Sequence, residues 1–178
     1  MVSRVFTPIE LVAEKAAAHV RARHPASLLC LDVGTRNIGV AVSDSIFRRS
    51  RPLGIIRRVP PVHSRPSMDR VAEQIRVVAH KHASFAVVVG WPVQLDGRPG
   101  DQCMEVHRFV TALVAPGRLT LPVSFVDERL STVDALRHLG AHTPRSRSRK
   151  KALRDPMSAV IILARLLESL EFRRYFGP

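Results

Sequence analysis

Apolar stretches of strand length lie at 28–32, 38–44, 53–57, 85–90 and 121–129. Leu28-Leu29-Cys30-Leu31 is a continuous apolar run, and so is Phe85-Ala86-Val87-Val88-Val89. Runs of that kind mark strands buried on both faces, as in parallel pairing. Around them, apolar residues recur at helical spacing. Ile9, Val12, Ala13, Ala16, Ala17 and Val20 follow Thr7-Pro8-Ile9-Glu10, which reads as an N-cap, a proline at the first helical position and the Glu of a capping box. Pro25 closes that helix. Ser67 reads as the cap of a second helix carrying Met68, Val71, Ile75, Val78 and Ala79 on one face. A loop over 91–100 leads into a helix over 101–114, and Ser131 with Asp134 opens another over 132–139. The last helix is expected over 155–172, with Val160, Ile161, Leu163, Ala164 and Leu167 as its apolar run. Strands joined through helices predict an α/β domain with a mixed sheet covered on both faces. Residues 1–26 read as a helical extension on the edge of one domain spanning 27–178, and there is no internal repeat.

Charge changes this neutral picture. The 178 residues hold 28 Lys and Arg against 15 Asp and Glu, a net charge of +13, on an otherwise ordinary 46% hydrophobic background. Such an excess favours a polyanionic partner, and nucleic acid suits it better than an acidic membrane. No apolar run is long enough to span a bilayer. The N-terminal stretch lacks a secretory core and carries Glu10 and Glu14, so it reads as structure, with the cytoplasm as the expected compartment. Cys30 and Cys103 are too few for a disulfide framework or a zinc site, and the eight His residues show no ligand spacing. A metal would therefore be held by carboxylates, which points to Mg²⁺ or Mn²⁺.

Those carboxylates sit at element ends. Asp32 closes the first strand beside a turn, with Gly34 and Gly39 flanking Thr35-Arg36-Asn37. A charge there either caps its own turn or is paired or bound to metal. Asp127 and Glu128 close another strand; as neighbours they point to opposite faces, so only one can join Asp32. The other can pair with Arg129. Asp155 before Pro156 reads either as a plain helix N-cap or as a third carboxylate arriving at the same sheet edge. Three such groups repel one another unless a divalent cation lies among them. In a strongly basic protein, that arrangement suggests metal-assisted phosphodiester hydrolysis. The tract Pro144-Arg145-Ser146-Arg147-Ser148-Arg149-Lys150-Lys151 is either a solvated loop or a clamp on a phosphate backbone. Trp91 could stack on a base but more often such a residue packs, and Asp44 reads as a turn residue.

These residues resemble a known family. Leu31-Asp32-Val33-Gly34-Thr35 through Gly39-Val40-Ala41-Val42-Ser43-Asp44 resembles the first signature of the YqgF/RuvX family, the RuvC-like nucleases known as Holliday-junction resolvases or pre-16S rRNA nucleases. Val88-Val89-Gly90-Trp91-Pro92 with Asp96-Gly97 resembles the second block, Asp127-Glu128-Arg129-Leu130-Ser131-Thr132 the third, and Asp155-Pro156-Met157-Ser158-Ala159-Val160-Ile161-Ile162-Leu163 the fourth. The resemblance implies a ribonuclease-H-like fold, a five-stranded mixed sheet flanked by helices, with the N-terminal helix added. It implies Asp32, Glu128 and Asp155 as catalytic residues and ligands of Mg²⁺ or Mn²⁺, and so favours Glu128 over Asp127. Thr35, Arg36, Arg129, Arg145, Arg147, Arg149, Lys150 and Lys151 are then the expected nucleic-acid contacts.

The implied activity is cleavage of structured nucleic acid, with RNA favoured over DNA and maturation of the pre-16S rRNA 5′ end in the lead. A junction-resolving DNase is the alternative, which a stable symmetric dimer would favour over the expected monomer or weak homodimer. A non-catalytic RNA-binding assembly factor is a third reading. The D-x-G-T turn also occurs in actin-like ATPases, but those need two such domains and this chain has room for one. Trp91, Pro156 and residues 1–26 depart from the family pattern. They suggest a divergent member, with an organelle of a eukaryote as the alternative compartment.

Overall fold

A computed structural model describes residues 6–92, 100–127 and 147–176, with backbone alone at 147–155 and 170. In chain order these form α1 (Ile9–Arg21), β1 (Ser27–Val33), β2 (Asn37–Ser43), β3 (Ser50–Arg57), α2 (Arg65–Lys81), β4 (Ser84–Trp91), α3 (Asp101–Val114), β5 (Val123–Asp127), α4 (Arg147–Glu168) and α5 (Leu170–Arg173). The sheet runs β3-β2-β1-β4-β5. β1 pairs antiparallel with β2, and β2 antiparallel with β3, whereas β4 lies parallel to β1 and β5 parallel to β4. The expected five-stranded mixed sheet is thus present, with the two continuous apolar runs side by side at its centre.

Strand alternation splits the core in two. Leu29, Leu31, Val33, Val87 and Val89 face α2 and α3, where Met68, Ile75 and Phe109 are buried with them. Leu28, Cys30 and Val88 face the other way, into a second cluster with Val12 and Ala16 of α1 and Leu163 of α4. α4 packs across β1, β2 and β3. α1 therefore shares a core with the sheet, because its small Ala13, Ala16 and Ala17 allow a close approach.

Three helix starts differ from expectation. Thr7 does not cap α1: the N-cap is Pro8 without a side-chain hydrogen bond, and the Thr7 N–H donates instead to the Val123 carbonyl at 2.7 Å. α2 begins one turn early, because Ser64 Oγ accepts from the Ser67 N–H and Pro66 fits the first turn. α4 begins at Arg147, not at Asp155, and Pro156 lies inside it. The residues upstream of that proline include Arg149, Lys150, Lys151, Ala152 and Leu153, good helix formers that carry the helix through the missing N–H. It also stops earlier than expected, and Ser169 separates it from α5. The expected helix over 132–139 lies outside the described residues.

The N-terminal stretch packs against the edge strand β5. Besides the Thr7 bond, the Phe6 ring sits 4.6 Å from that of Phe125 and 5.5 Å from His107. Farther along, Arg21 Nη1 donates to the Tyr175 carbonyl at 3.3 Å. The Val123 carbonyl, at the start of β5, is thereby paired where an open edge strand would invite pairing with another chain. The opposite edge, β3, is broken by Pro52, a register shift and Gly54 at φ +132°, and it bears exposed Arg51 and Arg57.

Candidate active site

Asp32 is the penultimate residue of β1, half-buried, opposite Gly39 of β2. The chain then reverses at once. The Gly34 N–H donates to the Asn37 carbonyl at 2.9 Å, leaving Thr35 and Arg36 exposed at the tip. Gly34 is required by contact: a Cβ there would lie 2.8 Å from the Asn37 carbonyl oxygen. Asp32, Gly34, Thr35, Arg36 and Asn37 together line a cleft of about 210 Å³. It offers a carboxylate, an amide, a hydroxyl and a guanidinium within one short turn.

By alternation Asp32 shares its sheet face with Leu28 and Cys30, the face that α4 covers. Val126 belongs to that face as well, so Asp127 at the end of β5 follows Phe125 to the other. Asp127 and Asp32 therefore lie on opposite faces. Asp155 lies within α4, on the helix that covers the Asp32 face, and the N-cap reading is set aside. Arg147, Arg149, Lys150 and Lys151 belong to the first turns of the same helix. Glu128, Arg129 and Arg145 lie outside the described residues.

Among the described residues no three His, Cys, Asp or Glu side chains form a metal site, and those residues do not include the side chains of Glu128 and Asp155. The donor that is described fits a hard divalent ion: Asp32 presents carboxylate oxygen at a solvent-accessible cleft. Trp91 packs against Phe125 with ring centroids 4.7 Å apart, which supports the packing reading. Asp44 Oδ1 accepts from the N–H groups of Arg48 (2.7 Å) and Arg49 (3.2 Å), the turn role expected of it.

A group that the sequence did not expose lies directly behind the turn. Arg58, whose side chain is 1% exposed, donates from Nη1 to the Gly34 carbonyl at 2.9 Å and from Nη2 to Glu105 Oε1 at 2.9 Å. Its backbone N–H donates to the Arg36 carbonyl at 2.8 Å. The guanidinium lies over the Phe109 ring at 4.9 Å. Glu105 also meets His63 Nε2 at 2.9 and 3.1 Å. Only the pairing of adjacent arginines at a strand end, Arg57 outward and Arg58 inward, hints at this in the sequence.

Burial pushes the Glu105 carboxyl up, but the hydrogen bonds from Arg58 and then His63, together with their charges, hold it below the ordinary value of 4.5. A depressed carboxylate stabilises the fold fully above its unfolded pKa and loses that contribution as the pH falls through its folded value. Glu105→Gln should accordingly flatten the acid limb of the Tm–pH curve below about pH 5. Thermal melts across pH check this, and parallel curves for the two proteins would contradict it.

A family model described as RuvX, Holliday junction resolvase, matches residues 26–169. The chain is 40% identical over 156 residues to a protein of Synechococcus sp. (strain JA-3-3Ab) named "Putative pre-16S rRNA nuclease", covering 86% of this chain and 88% of that one. It is 37% identical over 141 residues to the protein of the same name from Levilactobacillus brevis, covering 79% and 92%. Among solved structures, Thermus thermophilus RuvC in complex with Holliday junction substrate superposes with a TM-score of 0.54 at 19% identity, covering 85% of this chain and 96% of that one. That likeness shows the ribonuclease-H-like fold.

Proposed function

The chain belongs to the RuvX family of nucleases, and from that premise we propose that it is a divalent-metal-dependent endonuclease that processes the 5′ end of pre-16S rRNA. The observation that carries the proposal is Asp32, set at the strand end in a cleft whose rim is Thr35 and Arg36. Asp32, Glu128 and Asp155 are the residues that would hold the ion. Bound there, a divalent ion supplies a polarised phosphoryl oxygen and an activated water. The rest is the chain's own work. The Thr35 hydroxyl and Arg36 guanidinium are free to meet phosphate oxygens, fixing the backbone against the carboxylate edge. Lys150, Lys151, Arg147 and Arg149, with Arg129 and Arg145, are proposed to track the flanking phosphates.

The family description and the RuvC complex both concern Holliday junctions, so junction cleavage is the second reading. A panel separates them: a 5′-extended rRNA precursor, single-stranded RNA, duplex DNA and a four-way junction, each with Mg²⁺ or Mn²⁺. Metal-dependent cleavage of the precursor is expected. Cleavage of the junction with RNA untouched would replace the first reading by the second. Tight binding without any cleavage would favour the assembly-factor reading.

Arg36→Ala should weaken binding of every panel member to a similar degree and reduce the slope of log K against log salt by about 1. Binding titrations between low and moderate salt measure it. A loss confined to one substrate would instead mark Arg36 as a selectivity residue.

A further inference from the structure

We propose that Arg58 is a positioning residue of the nuclease site, a buried bracket that sets the Asp32-bearing turn against α3. The inference rests on the nuclease reading above. One residue grips both sides of the turn tip: its side chain takes the Gly34 carbonyl at 2.9 Å and its backbone N–H takes the Arg36 carbonyl at 2.8 Å. Its other end is anchored on α3, by Glu105 Oε1 at 2.9 Å and by the Phe109 face at 4.9 Å. His63 Nε2 shares that same Oε1 at 2.9 Å and also meets Oε2 at 3.1 Å, so the Glu105 carboxylate has a second partner beside Arg58. Nε of Arg58 has no hydrogen-bond partner among the described residues, leaving two divergent Nη bonds to fix the guanidinium plane.

At 1% side-chain exposure Arg58 cannot touch a substrate. Burying the Arg58 charge costs desolvation, so its pair with the part-exposed Glu105 is a poor source of stability beside apolar packing of equal volume. What the pair supplies is direction. The planar fork, itself set over the Phe109 ring, gives the Gly34 carbonyl a fixed donor, and Asp32 stands two residues before that carbonyl. A displacement of the turn by about 1 Å would be enough to misplace a reacting group and cost about 10²-fold in rate.

Lysine keeps the charge but cannot make two divergent, coplanar bonds, so Arg58→Lys removes the side-chain half of the bracket and leaves the backbone bond to Arg36 in place. Glu105→Gln is the second variant, which leaves Arg58 in place and weakens its anchor. Both are made in the full chain and compared with wild type in kcat and KM on the best panel substrate, in Tm, and in hydrogen exchange at the Gly34 amide. Arg58→Lys is expected to lower kcat about 10²-fold with KM little changed, and to speed exchange at Gly34. Glu105→Gln should shift the same quantities in the same sense by less, and the double variant should fall short of the summed losses. An unchanged kcat in a folded Arg58→Lys protein would overturn the proposal. So would a loss that tracks Tm alone. Should wild type cleave nothing in the panel, the nuclease reading fails, and Gly34 exchange decides whether Arg58 sets the turn: unaltered protection in both variants would end the proposal.

Discussion

Asp32→Asn should reduce phosphodiester cleavage by about 10³-fold or more while the protein stays folded. The substitution keeps shape and volume but replaces a carboxylate by an amide, which binds a hard divalent ion weakly and carries no charge to organise water. Asp32 is the residue of the proposed triad whose side chain the structure places in a cleft, half-buried and beside the exposed Thr35 and Arg36. Its neighbours in β1, Leu31 and Val33, are buried in the core facing α2 and α3 and hold the strand end in the variant. Cleavage assays on the precursor substrate, paired with thermal melts, read the two effects separately. Full activity in a folded Asp32→Asn protein would mean that this carboxylate does no chemistry.

The second large effect is expected at Gly34. An added Cβ would stand 2.8 Å from the Asn37 carbonyl oxygen, the acceptor of the hydrogen bond that closes the turn. The atom in the way is backbone, so no rotamer change relieves the clash. The turn must open, costing about 1–3 kcal/mol of stability as overpacking does elsewhere. The Gly34 carbonyl then also leaves Arg58, and the cleft rim moves with it. Gly34→Ala should therefore lose about 10²-fold in kcat, beyond what partial unfolding explains. Chemical denaturation and single-turnover cleavage at a temperature well below the midpoint test the pair of outcomes. A variant as stable and active as wild type would show that the turn tolerates rearrangement.

The setting of Asp32 at a strand end beside a tight turn was legible in the sequence, for a local reason. Leu28 to Leu31 form an unbroken apolar run, so Asp32 had to stand where a central strand leaves the core, and Gly34 had to mark the reversal. The mixed sheet followed from strands linked through helices. Capping was harder, because Ser, Thr and Asp near a helix start compete on nearly equal terms. Ser64 rather than Ser67 caps α2, and Thr7 gives its N–H to Val123 because an edge strand needs a partner. Asp155-Pro156 has the signature of a helix start, yet the basic helix formers before it extend α4 upstream. The Arg58 bracket was invisible for the opposite reason: its partners lie 24 and 47 residues away, and no pattern of period 2 or 3.6 encodes a meeting at that range.

The docking of residues 6–21 onto β5 and the stretch after α4 has a consequence for the order in which the protein is made. Arg21 and Tyr175 are 154 residues apart, and Thr7 waits for Val123. During synthesis α1 therefore emerges long before β5, α4 and α5, although Leu28 and Cys30 of its core cluster follow it closely. Closing so long a loop is slow, since its entropy is spent before the contacts repay it. The contacts of residues 6–21 with β5 and α5 are thus among the last this domain can make, and the cluster that holds Val12 stays incomplete until α4 has been made.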